Sequence, residues 1–406
     1  MFDVNKIRND FPMFQSHPNL IYFDNGATTF KPQVMIDAVN DFYTSGTANV
    51  HRGDYELSLH ADYLYDETRK LTANFIHAEE NEIAFTHNDT ASLNQIVYGL
   101  SKSHLKKGDV ILTSQVEHAS NLLPWYRLEK ELGIVVEYVP VDKQGRFLLD
   151  EFKKMMRKEV KVVSLASVSN VLGSEQPIKE ITKITHENGV IVIVDGAQSV
   201  PHSPTDVKDL GVDFLTFSAH KMCGPGGVGI IYGKREYMAS MEPQLLGGGM
   251  NARFHSDGTM LLKEGPERFE AGTPNIEGVI GFGATLNYLM DLGMDSIHQY
   301  EIGLRKYFKD KMKEIDSIIL YNEDNPTGPI TFNVKDVFAQ DAAGYLANKN
   351  IAVRSGNHCA KILHEIIQTD STIRASLYFY NTKEEVDRFV EAVKEINLES
   401  AIDIFF

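Results

Sequence analysis

Two short apolar runs end in side chains that could do chemistry together. The run 190–194 is continuously apolar and stops at Asp195; the run 214–217 stops at Ser218-Ala219-His220-Lys221, followed by Gly224, Pro225, Gly226 and Gly227. Such runs read as parallel strands covered on both faces, and the glycine- and proline-rich stretch after Lys221 can continue neither helix nor strand. Asp195 and Lys221 therefore lie at the carboxyl edge of one sheet, where α/β proteins bind ligands. A lysine amine can condense with an aldehyde, and a carboxylate can pair with a protonated ring nitrogen and keep that ring an electron sink. With Gln198, His220 and small residues around them, these are the parts needed to hold pyridoxal phosphate. Taken singly, such a lysine is more often a solvated loop residue and such an aspartate a helix or turn cap.

A thiol and a guanidinium add to the set. Arg354-Ser355-Gly356-Asn357-His358-Cys359-Ala360 follows a strand and contains glycine, which puts Cys359 on a loop where its sulfur can be reached. A small buried hydrophobe is the ordinary alternative for a free cysteine, but cationic neighbours such as His358 and Arg354 favour thiolate. Cys223, two residues past Lys221, is assigned a packing role. Arg374 carries a planar guanidinium suited to gripping a carboxylate through two parallel hydrogen bonds; a surface ion pair is the common alternative. Upstream, a strand over 82–86 leads to His87-Asn88-Asp89-Thr90, after which Leu93, Ile96, Val97 and Leu100 recur at helical spacing. Asp89 or Thr90 is the expected N-cap, and a helix N-terminus with hydroxyls at its mouth can receive an anion.

Taken jointly, VDGAQS at 194–199, FSAHK at 217–221, SNVLG at 169–173, FEAGTPN at 269–275 and the 354–360 loop resemble the class V aminotransferases of fold type I, and more narrowly the SUF-type cysteine desulfurases. The resemblance implies that Lys221 carries pyridoxal 5'-phosphate, Asp195 meets its ring nitrogen and Gln198 its ring hydroxyl. It implies that His118 stacks on the ring and takes part in proton transfer, and that Ser218, His220 and Thr90 contact the phosphate. Thr273 would reach the phosphate of a partner subunit, so a homodimer with shared sites is expected. Arg374 and Asn170 would bind the substrate carboxylate, and Cys359 would accept sulfur from L-cysteine, or L-selenocysteine its selenium analogue, and pass it to an acceptor protein, as in iron-sulfur cluster assembly. The chain also departs from the family pattern: Asp89 replaces a hydroxyl residue, Ser167 a histidine and Asn357 the first histidine of the cysteine loop, Asn25 and Gly26 stand where other small residues are usual, and Lys361-Ile362 differs from the common continuation of that loop.

The rest of the chain must position these groups. Its 406 residues can bury a large core, and strands alternating with helices give an α/β fold: a large domain over 20–280 with a mostly parallel sheet of the seven-stranded type, and a smaller α+β C-terminal domain formed by 281–406 with 1–19. A helical region from 279 to about 315, interrupted near Gly293, would join the two, and a helix starting at Thr382 with Glu385 in capping-box spacing would close the second. A formal charge of −16 without a basic run argues against nucleic acid. Two cysteines far apart in sequence point to a reducing compartment, and no apolar run has the length of a signal peptide core or a membrane span. A cytoplasmic protein without membrane partner is expected, and no metal ligand set is assigned. The competing readings keep the cofactor but drop sulfur transfer (a class V transaminase, a selenocysteine lyase or another β-lyase), or drop catalysis altogether for a binding scaffold.

Overall fold

The computed structural model describes residues 2–402; the C-terminal segment 403–406, whose docking the sequence left open, lies outside them. The apolar runs become a seven-stranded sheet: β1 (Ile83–Thr86), β2 (Val110–Ser114), β3 (Val135–Val139), β4 (Val160–Ala166), β5 (Ile191–Asp195), β6 (Phe214–Ser218) and β7 (Gly229–Gly233), in the order β1-β7-β6-β5-β4-β2-β3. Strands β6, β5, β4, β2 and β3 are parallel to one another, while β7 runs antiparallel between β1 and β6. Both faces are covered, which is why the central strands read as unbroken β-branched runs rather than alternating ones. One face packs on a cluster containing Tyr65, Val163, Leu215 and Phe282; the other packs on one containing Ile96, Trp125, Ile193 and Phe214.

A second sheet is antiparallel: β8 (Ile318–Leu320), β9 (Ile330–Val334), β10 (Arg354–Gly356) and β11 (Thr372–Ala375), in the order β8-β9-β11-β10. It has its own core around Phe308, Phe332, Phe389 and Leu346. The strand expected before the cysteine loop is split: Ile351–Ala352 pairs with Ile21–Tyr22, and only Arg354–Gly356 joins the sheet. The helical connection is two helices, Ile276–Leu292 and Met294–Lys313, hinged at Gly293 (φ 83°). The first runs unbroken through residue 280 and stays in the core of the large sheet through Leu286 and Leu289. Thr382 and Glu385 form the reciprocal cap expected of them.

Candidate active site

The carboxyl edge of the large sheet carries a cavity of about 250 Å³ whose wall includes His118, Asn170, Asp195, Gln198, Lys221, Cys359 and Arg374. Strand register explains half of this. Asp195 is the last residue of β5 and pairs with Thr216 of β6, two positions before Ser218, so both strands deliver their terminal polar residue to one rim. Lys221 follows on a single turn of 3-10 helix. That turn is held from outside: the His220 carbonyl accepts hydrogen bonds from the Thr29 N–H (3.1 Å), the hydroxyls of Thr28 (3.1 Å) and Thr29 (3.1 Å), and Lys31 Nζ (2.9 Å). The small polar turn at 24–29 is thus a brace for the lysine loop.

Burial sets the charge states. It lowers the pKa of Lys221 against the opposing attraction of Asp195 and Asp89, and it raises that of Asp195. Asp89, which departs from the family pattern, is also on the cavity wall and is 8% exposed; burial and the nearby Asp195 charge hold its carboxyl well above the usual carboxylate range. His118 is pushed down to about 4 by burial and by Lys221. Its Nδ1 accepts the Ser120 N–H at 3.2 Å, which assigns the ring proton to Nε2. His220 likewise falls to about 4, for burial and the same lysine.

The unpaired polar atoms fit pyridoxal phosphate. Among the described residues, the Asp195 carboxylate accepts a single hydrogen bond, from the Ala197 N–H at 2.9 Å on Oδ1, leaving Oδ2 for a ring N–H. Gln198 donates from Nε2 to the Gly26 carbonyl at 3.1 Å and keeps its oxygen free. The helix Asp89–Ser103 opens onto the cavity, with Asn88 rather than Asp89 or Thr90 as its N-cap: Asn88 Oδ1 accepts the Ala91 N–H at 2.9 Å. Ser218 Oγ accepts the Asp89 N–H at 2.8 Å and retains its own proton to donate. The Thr90 hydroxyl meets that of Ser120 at 2.7 Å. A phosphate at this helix N-terminus would be received by hydroxyls and backbone N–H groups.

Opposite this cradle sit the groups that β10 and β11 supply. Arg374, 3% exposed, donates from Nη1 to the Asn170 carbonyl at 3.0 Å and lies 3.5 Å from Asp24 Oδ1 through Nη2. Its Nε is buried without a partner, as is Asn170 Oδ1, and the arginine lies on the cavity wall. Cys359 is exposed and Cys223 is buried, and neither is in a disulfide. The Cys223 thiol is pushed up to about 12 by burial, which suits packing and not reaction. His358 differs from the expectation of a cation beside the thiol. Its ring turns inward to Thr372, with Nε2 3.0 Å from the hydroxyl, and burial with nearby Arg374 lowers it to about 2, so it is uncharged. Positive charge near Cys359 comes from Arg354 and Arg374, which share the cavity wall.

Thr273 is not on this wall. It lines a separate cavity of about 280 Å³ with Glu270, Asn275, Gln95 and Tyr65. Asp89, read from the sequence as a cap at the mouth of an anion-receiving helix, lines the Lys221 cavity, as do Gly26 and Ser120; only Ser120 had no role assigned from the sequence.

Comparison with known proteins gives a consistent picture. A family model described as aminotransferase class V matches residues 21–389. A probable cysteine desulfurase of Ureaplasma parvum is 43% identical over 397 residues, 97% of this chain and 97% of that protein. The apo structure of a cysteine desulfurase from Thermococcus onnurineus superposes with a TM-score of 0.92 at 39% identity, covering 96% of this chain and 97% of the other. The Escherichia coli cysteine desulfurase CsdA does so with 0.91 at 31% identity, covering 99% of each.

Proposed function

The chain belongs to the class V aminotransferase family, and from that premise we propose that it is a pyridoxal-phosphate-dependent cysteine desulfurase that converts L-cysteine to L-alanine and leaves a persulfide on Cys359. The observation that carries this reading is the meeting of Lys221, Asp195, His118 and Arg374 with an exposed thiol, Cys359, on the wall of one cavity. The bound cofactor supplies an electron sink for bond changes at the substrate α-carbon. Lys221 Nζ would hold the cofactor and, once displaced by substrate, would take the α-proton; its lowered pKa is what a base at neutral pH needs. Asp195 Oδ2 would keep the ring nitrogen protonated, and His118, neutral at this pKa, would serve as the ring's stacking partner. Arg374 grips the substrate carboxylate through the donors that the protein leaves free. The Cys359 sulfur then attacks the substrate sulfur: an S–S bond forms, the substrate C–S bond breaks, and protonation of the remaining fragment gives alanine.

The coarser features belong to the same proposal. The division into a large unit over 20–280 and a smaller one formed by 281–406 with 1–19 is part of it; the second sheet, with its own core around Phe308, Phe332 and Phe389, supports a separate second unit. A homodimer in which Thr273 serves a neighbouring site fits its distance from this cavity and the exposed Tyr55, Leu59, Tyr63, Leu245 and Phe254. Among the described residues no helix is long and apolar enough to cross a membrane; a cytoplasmic sulfur donor to an acceptor protein of iron-sulfur cluster assembly is the setting we favour. The test is to incubate cofactor-loaded protein with L-cysteine, assay alanine and map persulfide beside Cys359→Ser. Alanine with a persulfide at Cys359, both lost in the variant, supports the reading. Alanine unaffected by the substitution keeps the cofactor chemistry and removes Cys359 as acceptor, and a keto acid product points to a transaminase.

A further inference from the structure

The loop that carries Cys359 is in a conformation it would not hold unaided. His358 (φ 51°) and Cys359 (φ 57°) are consecutive non-glycine residues in the left-handed region, preceded by Gly356 at φ 118°, and side chains with a Cβ disfavour that region. Both left-handed residues have their carbonyls tied to groups far away in sequence. The Cys359 carbonyl accepts the Ala119 N–H at 2.8 Å, and the His358 carbonyl accepts Asn170 Nδ2 at 2.8 Å. Neither donor is free to follow the loop. Ala119 opens the short helical turn Ala119–Asn121, whose next N–H is bonded to His118 Nδ1. Asn170 lies on a segment whose neighbouring carbonyls are bonded in turn: Leu172 by Asn322 (3.0 Å) and Asn325 (2.8 Å), and Gly173 by Thr327 (2.8 Å).

We infer that the Ala119 N–H and the Asn170 amide are positioning groups that fasten the Cys359 loop over the cavity. Neither donor bonds the sulfur; they act on the two carbonyls that fix where the sulfur points. Swinging the persulfide outward to an acceptor then requires these two bonds to break, while Ala360 N–H to Asn357 O at 2.8 Å belongs to the loop itself and can travel with it. The inference rests on the desulfurase reading only where it concerns turnover; the fastening can be measured without it.

Ala119 allows an unusually clean test, because it stands at the first position of its helical turn and His118 before it is extended (φ −69°, ψ 148°). Proline is tolerated at such a position and after such a residue, so Ala119→Pro replaces the N–H by a methylene with little cost to the turn itself, while Ala119→Gly keeps the N–H as a control. Hydrogen exchange of the peptide spanning 354–366 is expected to accelerate about 2- to 13-fold in Ala119→Pro, the range that losing one net hydrogen bond gives, and to stay at the wild-type rate in Ala119→Gly. In the holoenzyme, kcat for alanine formation should fall with KM for L-cysteine and the cofactor absorption band unchanged. Should Ala119→Pro not fold, Asn170→Asp, which removes the donor at nearly constant shape, is read by exchange alone in cofactor-free protein and should accelerate it likewise. Wild-type exchange over 354–366 in the folded variant overturns the inference, as does a lost cofactor band or raised KM without faster exchange. A wild-type protein that makes no alanine would instead sink the desulfurase reading and leave the exchange result standing.

Discussion

Gly173→Ala should damage both the fold and the site, and the structure says by how much. Gly173 has φ +62°, and a Cβ built on it would stand 2.3 Å from the Thr327 carbonyl oxygen and 2.8 Å from Gly328 Cα. These are backbone atoms that cannot rotate away, and Gly328 is itself left-handed at φ +71° with Gly173 Cα 2.2 Å from where its own Cβ would be. A left-handed alanine costs about 1–2 kcal/mol, and forcing a methyl group into packed surroundings costs a further 1–3 kcal/mol or so, giving about 2–5 kcal/mol. At roughly 2.1 cal/mol/K of unfolding entropy per residue, a chain of 406 residues unfolding as one unit would lose about 2–6 °C in Tm. Gly189→Ala is the control: its φ is +65° but nothing lies within 4 Å of its Cβ position, so only the conformational cost applies, about 1–2 kcal/mol. Because Asn170 and the Arg374 contact lie on the same segment, Gly173→Ala should also raise KM for L-cysteine, whereas Gly189→Ala should not. Calorimetry of the two variants beside steady-state alanine assays decides the matter. Equal Tm losses in both, with unchanged KM in each, would refute the argument that the back-to-back glycines hold the substrate end of the site.

Two other outcomes follow from buried charge. Arg69 and Glu270, each 6% exposed at the side chain, are paired at 2.7 and 2.9 Å; Glu270 also accepts the Phe85 N–H at 2.8 Å, so Glu270→Ala leaves an unpaired buried guanidinium and should cost about 3–5 kcal/mol, read from the urea midpoint; a shift corresponding to under 1 kcal/mol would show that water reaches Arg69. For His118, burial lowers the folded pKa to about 4, so the unfolded chain binds the extra proton first, and the stability this residue contributes is full above about 6.5 and is lost as pH falls toward 4. Imidazole NMR of cofactor-free protein against His118→Gln should find no His118 titration between pH 6 and 8, and an inflection near 6.5 would contradict the burial argument.

What could be read from the sequence was local. The strands Ile191–Asp195 and Phe214–Ser218 and their terminal Asp195 and Ser218 follow from apolar runs that stop at polar residues, and the capping box at Thr382 from residues three apart. What could not be read depends on partners distant along the chain. The strand Gly229–Gly233 lies in glycine-rich sequence that resembles loop, and it is a central strand only because β1 and β6 flank it. Asp89 looks like a helix cap, but Ser218, distant in sequence, takes its N–H and thereby turns the N-cap role over to Asn88. His358 looks like a cation beside a thiol until Thr372 draws its ring inward. The hairpin of Asn251–Phe254 with Met260–Leu262 leaves Phe254 and Leu261 exposed, so it lacks the buried face that marks a strand in sequence.

The polar residues around the chemistry have a common physical reason. Lys221 lies on a single 3-10 turn and Asn170 and Cys359 on loops, where no strand ladder satisfies the backbone groups or fixes their direction. In each case another element supplies the missing donors to a carbonyl at or beside the functional residue: Thr28, Thr29 and Lys31 at His220, Asn322, Asn325 and Thr327 at residues 172–173, and Asn170 and the Ala119 N–H at 358–359. Thr331 adds a further bond to the Val171 carbonyl. The threonines and asparagines of these motifs therefore need not touch substrate to matter. They tie three connecting segments to neighbouring elements, and the fastenings at 172–173 and 358–359 join the second sheet and its flanking loops to the large sheet's edge, so the distance from Lys221 to Cys359 is set by carbonyl hydrogen bonds as well as by apolar packing.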